Sequence, residues 1–444
     1  MKRFIVPLLT AVMVVSIILA GCVPGAAPTP PAAPPVTPPP VTPPPVTPPP
    51  VTPPPVTPPP VAPDKITFAA IEALSGWWAG FSYLAAVVNY TIWEEKVNAE
   101  GGIYVREYDK RIPVEIKWYD SKSDPAVAVT MAEKAIVADK VDFVISTYGT
   151  AWCFAVAPIC DEYKKLYIAS NSASAELVEM AIRGDLTYVF QVWPIPTDHM
   201  PQLAALLDEL GVKTVAILYF ETLYGIELIS AIEPPLEEAG IEVVVSSSYP
   251  LDVMDLSPIL KTIRDANPDA VLQLDYVDDG VLGMEQIMAL GYSPKVYYND
   301  SCTWGASVFE EKFGAAAMEG VMGACAWNKD MTGLYGAQEY YDAYLAEAGV
   351  PPCMGLSIAI QYAQLEMLQQ AIEAAGTLDN TAVRDVVKTT TFHTVAGDIW
   401  FAPGDYQWRT MPFVGQWHNG LVEPLMPIEK RTIDPIYPKP AWPE

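Results

Sequence analysis

The residues of this 444-residue chain that could do chemistry gather in six short stretches. One is aromatic: Leu74-Ser75-Gly76-Trp77-Trp78-Ala79-Gly80-Phe81. Two are rich in hydroxyls: Ser146-Thr147-Tyr148-Gly149-Thr150-Ala151-Trp152 and Ser170-Asn171-Ser172-Ala173-Ser174. Three mix aromatics with acids or amides: Phe220-Glu221-Thr222-Leu223-Tyr224-Gly225, Asp275-Tyr276-Val277-Asp278 and Asn299-Asp300-Ser301-Cys302-Thr303-Trp304. Hydroxyls and the free N–H groups of a helix start hold a carboxylate. An Asp offsets an ammonium. Aromatic rings clamp an apolar or flat body. Together these residues describe a receptor for a small molecule.

Catalytic and cofactor patterns are missing. There is no GxGxxG or GxxxxGK[ST] stretch to cradle phosphates and no CxxC pair, so no cofactor or metal is expected. His199, His393 and His418 stand apart from any nucleophile motif and read as structural. Acidic pairs such as Asp278-Asp279 and Glu237-Glu238 read as exposed helix faces. Acidic residues outnumber basic ones 53 to 26, which argues against a nucleic-acid partner, since phosphate binding needs a basic footprint. Cys153 and Cys160 straddle a predicted helix start, an awkward place for a bridge, whereas Cys302 and Cys325 follow successive strands and form the candidate disulfide.

The stretches need elements to position them. Apolar runs predict strands at 66–72, 113–119, 141–146, 166–169, 187–192, 214–219, 241–247, 269–274, 295–298 and 320–325. Several are continuously apolar, as expected of strands buried on both faces. Helical patterns lie between them, among others at 81–98, 125–139, 198–210, 224–239, 278–290 and 355–375. Asp124-Pro125 is an N-cap followed by a first-turn proline. Gly101, Gly211, Gly240 and Gly291 stand where helices should stop. The alternation predicts an α/β fold with parallel sheets, and about ten strands call for two doubly wound lobes. In such sheets ligands bind beyond the C-terminal strand ends, where all six stretches fall.

The N-terminus is different. Lys2 and Arg3 precede the apolar run Phe4 to Ala20, which reads as a secretory signal over 1–21. Leu19-Ala20-Gly21-Cys22 resembles a bacterial lipobox, which implies cleavage before Cys22 and its lipidation. Residues 22–63 carry five VTPPP repeats and are expected to form a polyproline II spacer, because proline fixes φ and offers no N–H. The body is therefore expected outside the cytoplasm, lipid-anchored at the outer face of the cell membrane or in the periplasm.

The ordered set LSGWWAGFSY, VNAEGGI, IKWYDSKSDPAVAVTMAEKAI, VDFVISTYGT, LYIASNSASAEL, VAILYFETLYGIEL, DLSPILKTIRDANPDAVLQL and LGYSPKVYYND resembles the leucine/isoleucine/valine-binding family. These are the solute-binding proteins of ABC importers, with the type I periplasmic-binding (Venus-flytrap) fold. The resemblance spans about 64–425. It implies a lobe of 64–190 plus 326–397, a second of 191–325 plus 398–430, a three-crossing hinge and a C-terminal tail over 431–444. It implies a monomer, an ABC permease as partner and no enzymatic turnover. By position, Thr150, Asn171 and Ala173 match the carboxylate-binding residues, with Ser172 or Ser174 replacing a hydroxyl absent at Ala173. Tyr224 and Tyr276 match the second lobe's aromatics, and Phe81, joined by Trp77 and Trp78, matches an aromatic of the first loop. The ammonium partner falls on either Asp300 or Ser301. The family's disulfide in the first lobe falls on Ser123 and Gly149 and is missing. Tyr148, Trp152 and Trp304 add rings that either line the cleft or pack as core. The expected solute is an amino acid, branched-chain or aromatic, with an aromatic carboxylate or an amide- or urea-type solute as the alternative. A ligand sensor for a membrane receptor is the other use of the same fold.

Overall fold

The computed structural model describes residues 61–352, 356–409 and 413–443. The signal segment, Cys22, the VTPPP repeats and Cys353 lie outside them. Pro58–Glu444 forms one compact unit. Among the described residues no helix is long and apolar enough to cross a membrane.

The first sheet is built on Ile66–Glu72, whose side chains are nearly all buried. This strand runs parallel between Val114–Asp120 and Phe143–Ile145. Phe68 stacks on its cross-strand neighbour Phe143 at 5.5 Å, and Trp93 meets Phe68 edge-on from the covering helix. A parallel bridge between Tyr148 and Asn171 leads on to the parallel pair Tyr167–Ala169 and Val189–Gln191. The second sheet has seven strands in the order Leu421–Met426, Val414–His418, Met322–Ala324, Val296–Asn299, Ala270–Leu274, Thr214–Phe220 and Glu242–Tyr249. All ten expected strands are present, with ends shifted by a residue or two.

Two expectations change. The second sheet is mixed, because Val414–His418 and Leu421–Met426 form an antiparallel hairpin at its edge. The helical stretch 81–98 is interrupted by a π-helical turn at Tyr83–Val87, and the stretch 125–139 ends in one at Lys134–Ala138. Asp124 does cap its helix, accepting from the Ala126 N–H at 2.8 Å, with Pro125 in the first turn. The four stop glycines all have positive φ.

The chain passes between the sheets three times, after Gln191, after Ala324 and after Ile399. Backbone hydrogen bonds knit the crossings: Gln191 donates to Tyr406, Trp408 to Gln191, and Cys325 to Phe413. Gln407 Nε2 donates to the Trp193 and Trp408 carbonyls. The long helix Leu356–Ala375 returns to the first lobe, buried over most of its length, with Ser357, Gln361 and Gln364 among its buried residues. It brings Ser357, Gln361 and Gln364 to the first sheet's strand ends, where Gln361 Oε1 accepts from the Ser170 and Tyr90 hydroxyls.

Candidate functional site

Both sheets present their C-terminal strand ends to one cavity of about 350 Å³, part of it open to solvent. Trp78, Tyr148, Gly149, Thr150, Asn171 and Ser357 line it from the first lobe, and Tyr224, Tyr276 and Trp304 from the second. Trp193 closes it from the first crossing. The free space enclosed between the walls is only about 30 Å³, room for about one water molecule, so the cleft is closed down on itself.

In the first lobe, Ser123 stands where the resemblance implied a cysteine. Its hydroxyl donates to the Ser75 carbonyl at 2.8 Å and accepts from the Trp78 N–H at 3.0 Å, pinning the aromatic loop. The Trp78 indole donates to the Tyr148 carbonyl at 3.2 Å. Gly149, at φ 115°, precedes the helix Thr150–Glu162; a Cβ there would lie 3.0 Å from the Trp152 ring, so this bend needs glycine. No side chain caps that helix, so its N-terminus opens on the cavity. The Thr150 hydroxyl accepts from the Ala173 N–H at 3.1 Å and keeps its own proton to donate. Asn171 donates to the Ser357 carbonyl at 3.1 Å. Behind this wall Glu72 is buried, which pushes its pKa to about 8, although the Ser82 hydroxyl at 2.9 Å opposes the shift.

The second wall is aromatic and backed by acids. Tyr224 and Tyr276 stack at 5.9 Å, Phe220 packs on Tyr276 at 4.5 Å, and Trp304 meets Tyr276 edge-on at 6.4 Å. The Tyr224 and Tyr298 hydroxyls each donate to Asp300 at 2.7 Å. Burial raises Asp300 to about 6, with the two tyrosines and Trp304 pulling it down, although the Trp304 indole N–H makes no hydrogen bond of good geometry. Asp275, also buried, accepts from the Ser301 N–H at 3.0 Å, and burial pushes its pKa well up. Asp279 accepts from the Tyr249 hydroxyl at 2.6 Å and the Tyr276 N–H at 3.1 Å. The walls meet where Trp78 and Tyr276 touch at 5.1 Å. A ring-sized solute therefore enters only by parting them.

Of the residues singled out from sequence, Trp78, Tyr148, Thr150, Asn171, Tyr224 and Tyr276 line the cavity, and Trp304 joins them. Trp77 is 56% exposed beside Trp78 and Trp152. Phe81 faces an adjoining recess that shares Tyr148, Trp304 and Ser357 with the cavity. Ser172, Ala173 and Asp300 are buried behind the lining. Ser301, the other candidate for the ammonium, donates its hydroxyl to the Tyr276 carbonyl and to Asn299. Asp279 corrects the reading of Asp278-Asp279 as an exposed pair, because it is buried as a helix cap. The expected Cys302–Cys325 bridge is not formed. Both are buried free thiols, and Cys302 instead donates to the Met322 carbonyl. Trp193 and Ser357 were not foreseen.

Residues 65–420 match the periplasmic binding protein family, and the chain belongs to it. The Leu/Ile/Val-binding protein homolog 7 of Brucella suis is 22% identical over 309 residues, covering 66% of this chain and 73% of that protein. Two solved structures share the fold. One is a Rhodopseudomonas palustris ABC-transporter solute-binding protein in complex with 3,4-dihydroxybenzoic acid, at 19% identity and TM-score 0.66 over 80% of this chain and 91% of that one. The other is the branched-chain amino acid transporter substrate-binding protein of Streptococcus pneumoniae in complex with isoleucine, at 17% identity and TM-score 0.68 over 81% and 98%. The fold is thus the type I periplasmic-binding fold. The family's role is to bind a solute outside the cytoplasm, not to transform it.

Proposed function

We propose that this protein is the solute receptor of an ABC importer, and that its solute is flat, aromatic and headed by a carboxylate. The observation that carries this reading is the composition of the lining. Six of its ten residues are aromatic, and none carries an ionised side chain. The Thr150 hydroxyl and the uncapped start of the helix Thr150–Glu162 suit the carboxylate. Trp78, Tyr276 and Trp304 suit the ring. An ammonium finds no carboxylate on the cavity surface, since Asp300 lies behind Tyr224 and is held by two hydroxyls. One observation favours an amino acid, branched-chain or aromatic, as the second reading: Asp300 is hydrogen-bonded directly to Tyr224 of the cavity lining, one side chain behind the surface.

Titration of the protein with benzoate, 3,4-dihydroxybenzoate, phenylalanine, tyrosine, leucine, isoleucine, valine, short amides and urea tests both readings, followed by thermal shift and calorimetry. A ligand at 100 times its Kd adds about 2.7 kcal/mol of stability, a clear rise in Tm. Aromatic acids are expected to give the largest rise. Rises confined to amino acids would replace the first reading with the second, and a flat response across the panel removes both. Anchoring at Cys22 belongs to the same proposal, and Cys22→Ser should abolish incorporation of a labelled fatty acid into the protein in cells producing it.

A further inference from the structure

The helix Leu223–Glu238 of the second lobe and the helix Ala175–Arg183 of the first meet at a single carboxylate. Glu227 Oε1 accepts from the Ser174 hydroxyl at 3.1 Å, and Oε2 accepts from the Ala175 N–H at 3.0 Å. Ser174 is itself the N-cap of its helix, accepting from the Leu177 N–H at 3.3 Å. Its side chain therefore serves one first-turn N–H, and Glu227 reaches across the cleft to serve another. A negative group at a helix N-terminus is also favoured by the helix dipole. Tyr224, which lines the cavity, lies three residues earlier on the Glu227 helix, so this contact seats the second wall.

We propose that Glu227 is an inter-lobe clasp, a positioning residue that holds the cleft shut, loaded or empty, without touching the solute. The clasp rests on the reading of the protein as a receptor that closes on its solute. Among the described residues no Lys or Arg forms an ion pair with Glu227, and the charged group that faces it is Glu176. Burial raises the Glu227 pKa, while its two hydrogen bonds lower it. The hydrogen bonds rather than the charge then make the clasp, and a neutral amide of the same shape should keep it. The Gln carbonyl would accept from Ala175, and its NH2 would donate to Ser174.

The test is stopped-flow binding of 3,4-dihydroxybenzoate, with isoleucine as second probe, to wild type, Glu227→Ala and Glu227→Gln. Glu227→Ala is expected to release the solute about 10- to 100-fold faster, the size of two ordinary hydrogen bonds, with association unchanged. Glu227→Gln should stay within a few-fold of wild type, and the ranking of solutes should be the same in all three. An unchanged release rate in Glu227→Ala overturns the clasp. An altered ranking also overturns it, because Glu227 would then touch the solute. Small-angle scattering of the solute-free protein tests the clasp even if neither probe binds. Glu227→Lys, which sets a cation against the helix start, should expand the particle relative to wild type, and an unchanged radius of gyration counts against the clasp alone.

Discussion

The two walls of the cleft use the same kinds of side chain but are held in different ways. The first wall leans on main chain: Trp78 on the Tyr148 carbonyl, Thr150 on the Ala173 N–H, Asn171 on the Ser357 carbonyl. The second leans on buried acids, through Tyr224 and Tyr298 on Asp300 and through Tyr249 and the Tyr276 N–H on Asp279. A hydroxyl whose proton is already committed to a carboxylate has little left for a solute. The second wall therefore offers ring faces and a single indole N–H, that of Trp304, and most reading of polar atoms falls to the first wall, where Thr150 retains its proton and a helix N-terminus is uncapped. Two lobes of similar construction thus divide the work between polar recognition and apolar cover.

The largest expected effect comes from the ring both walls share. Trp78 packs against Tyr148, Trp152, Phe81 and Tyr276. Trp78→Ala should weaken solute binding by about 2–4 kcal/mol, as for an aromatic at the centre of a contact, measured by calorimetry. A loss no larger than that of Trp77→Ala would mean that the cover is not centred on Trp78. Next comes the polar side of the division. Thr150→Ala should cost about 1–3 kcal/mol for a carboxylate solute, with Thr150→Ser close to wild type. No loss would take Thr150 out of the site and with it the claim that the first wall reads polar atoms.

Asp300→Asn probes the other half. If the acid is only a support, affinity should change by less than about threefold, since residues outside the contact contribute little, while Tm falls because two tyrosine hydroxyls lose their carboxylate. A loss of about 2–5 kcal/mol for an amino acid alone would instead mark a severed ammonium pair and erase the contrast between the walls.

How far this division could be read in advance depends on the signal each part leaves. Strands such as Ile66–Glu72 and Ala270–Leu274 are buried on both faces, so they stand out as apolar runs broken only by Thr67, Glu72 and Gln273. The edge hairpin Val414–His418 with Leu421–Met426 has no such run, but its Asn419-Gly420 turn, at φ 51° and 79°, is a strong hairpin signal that went unread. Loop position located Thr150, Tyr224 and Tyr276, because strand ends of this fold face the cleft. It could not tell that Asp300 lies behind its ring, since neighbours in one loop point opposite ways and only packing decides which faces solvent. Trp193 and Ser357 left no loop signal: one comes from a crossing, the other from the start of a distant helix.

The smallest expected effect is on stability, and it sets the two walls' acids apart by pH. Burial raises Glu72, behind the first wall, to about 8 and Asp300, behind the second, to about 6. Both lie above the roughly 4 of an unfolded carboxyl, so the folded protein holds these protons more tightly than the unfolded chain. Their contribution is complete below about pH 4 and is lost as pH rises, through about 6 for Asp300 and about 8 for Glu72. His199 acts in the opposite sense. It is buried and its pKa is lowered to about 4, so stability is lost as pH falls from about 6.5 toward 4. Between about pH 4 and 6 the two carboxyls lose more than His199 regains, so Tm should be highest near about pH 4–5 and decline toward pH 9. Asp300→Asn should flatten the first part of that decline and Glu72→Gln the later part. A Tm that climbs steadily from pH 5 to pH 9 would mean that both carboxyls are ionised against a favourable field, and the acids would then hold the tyrosines by charge instead of as partly protonated supports.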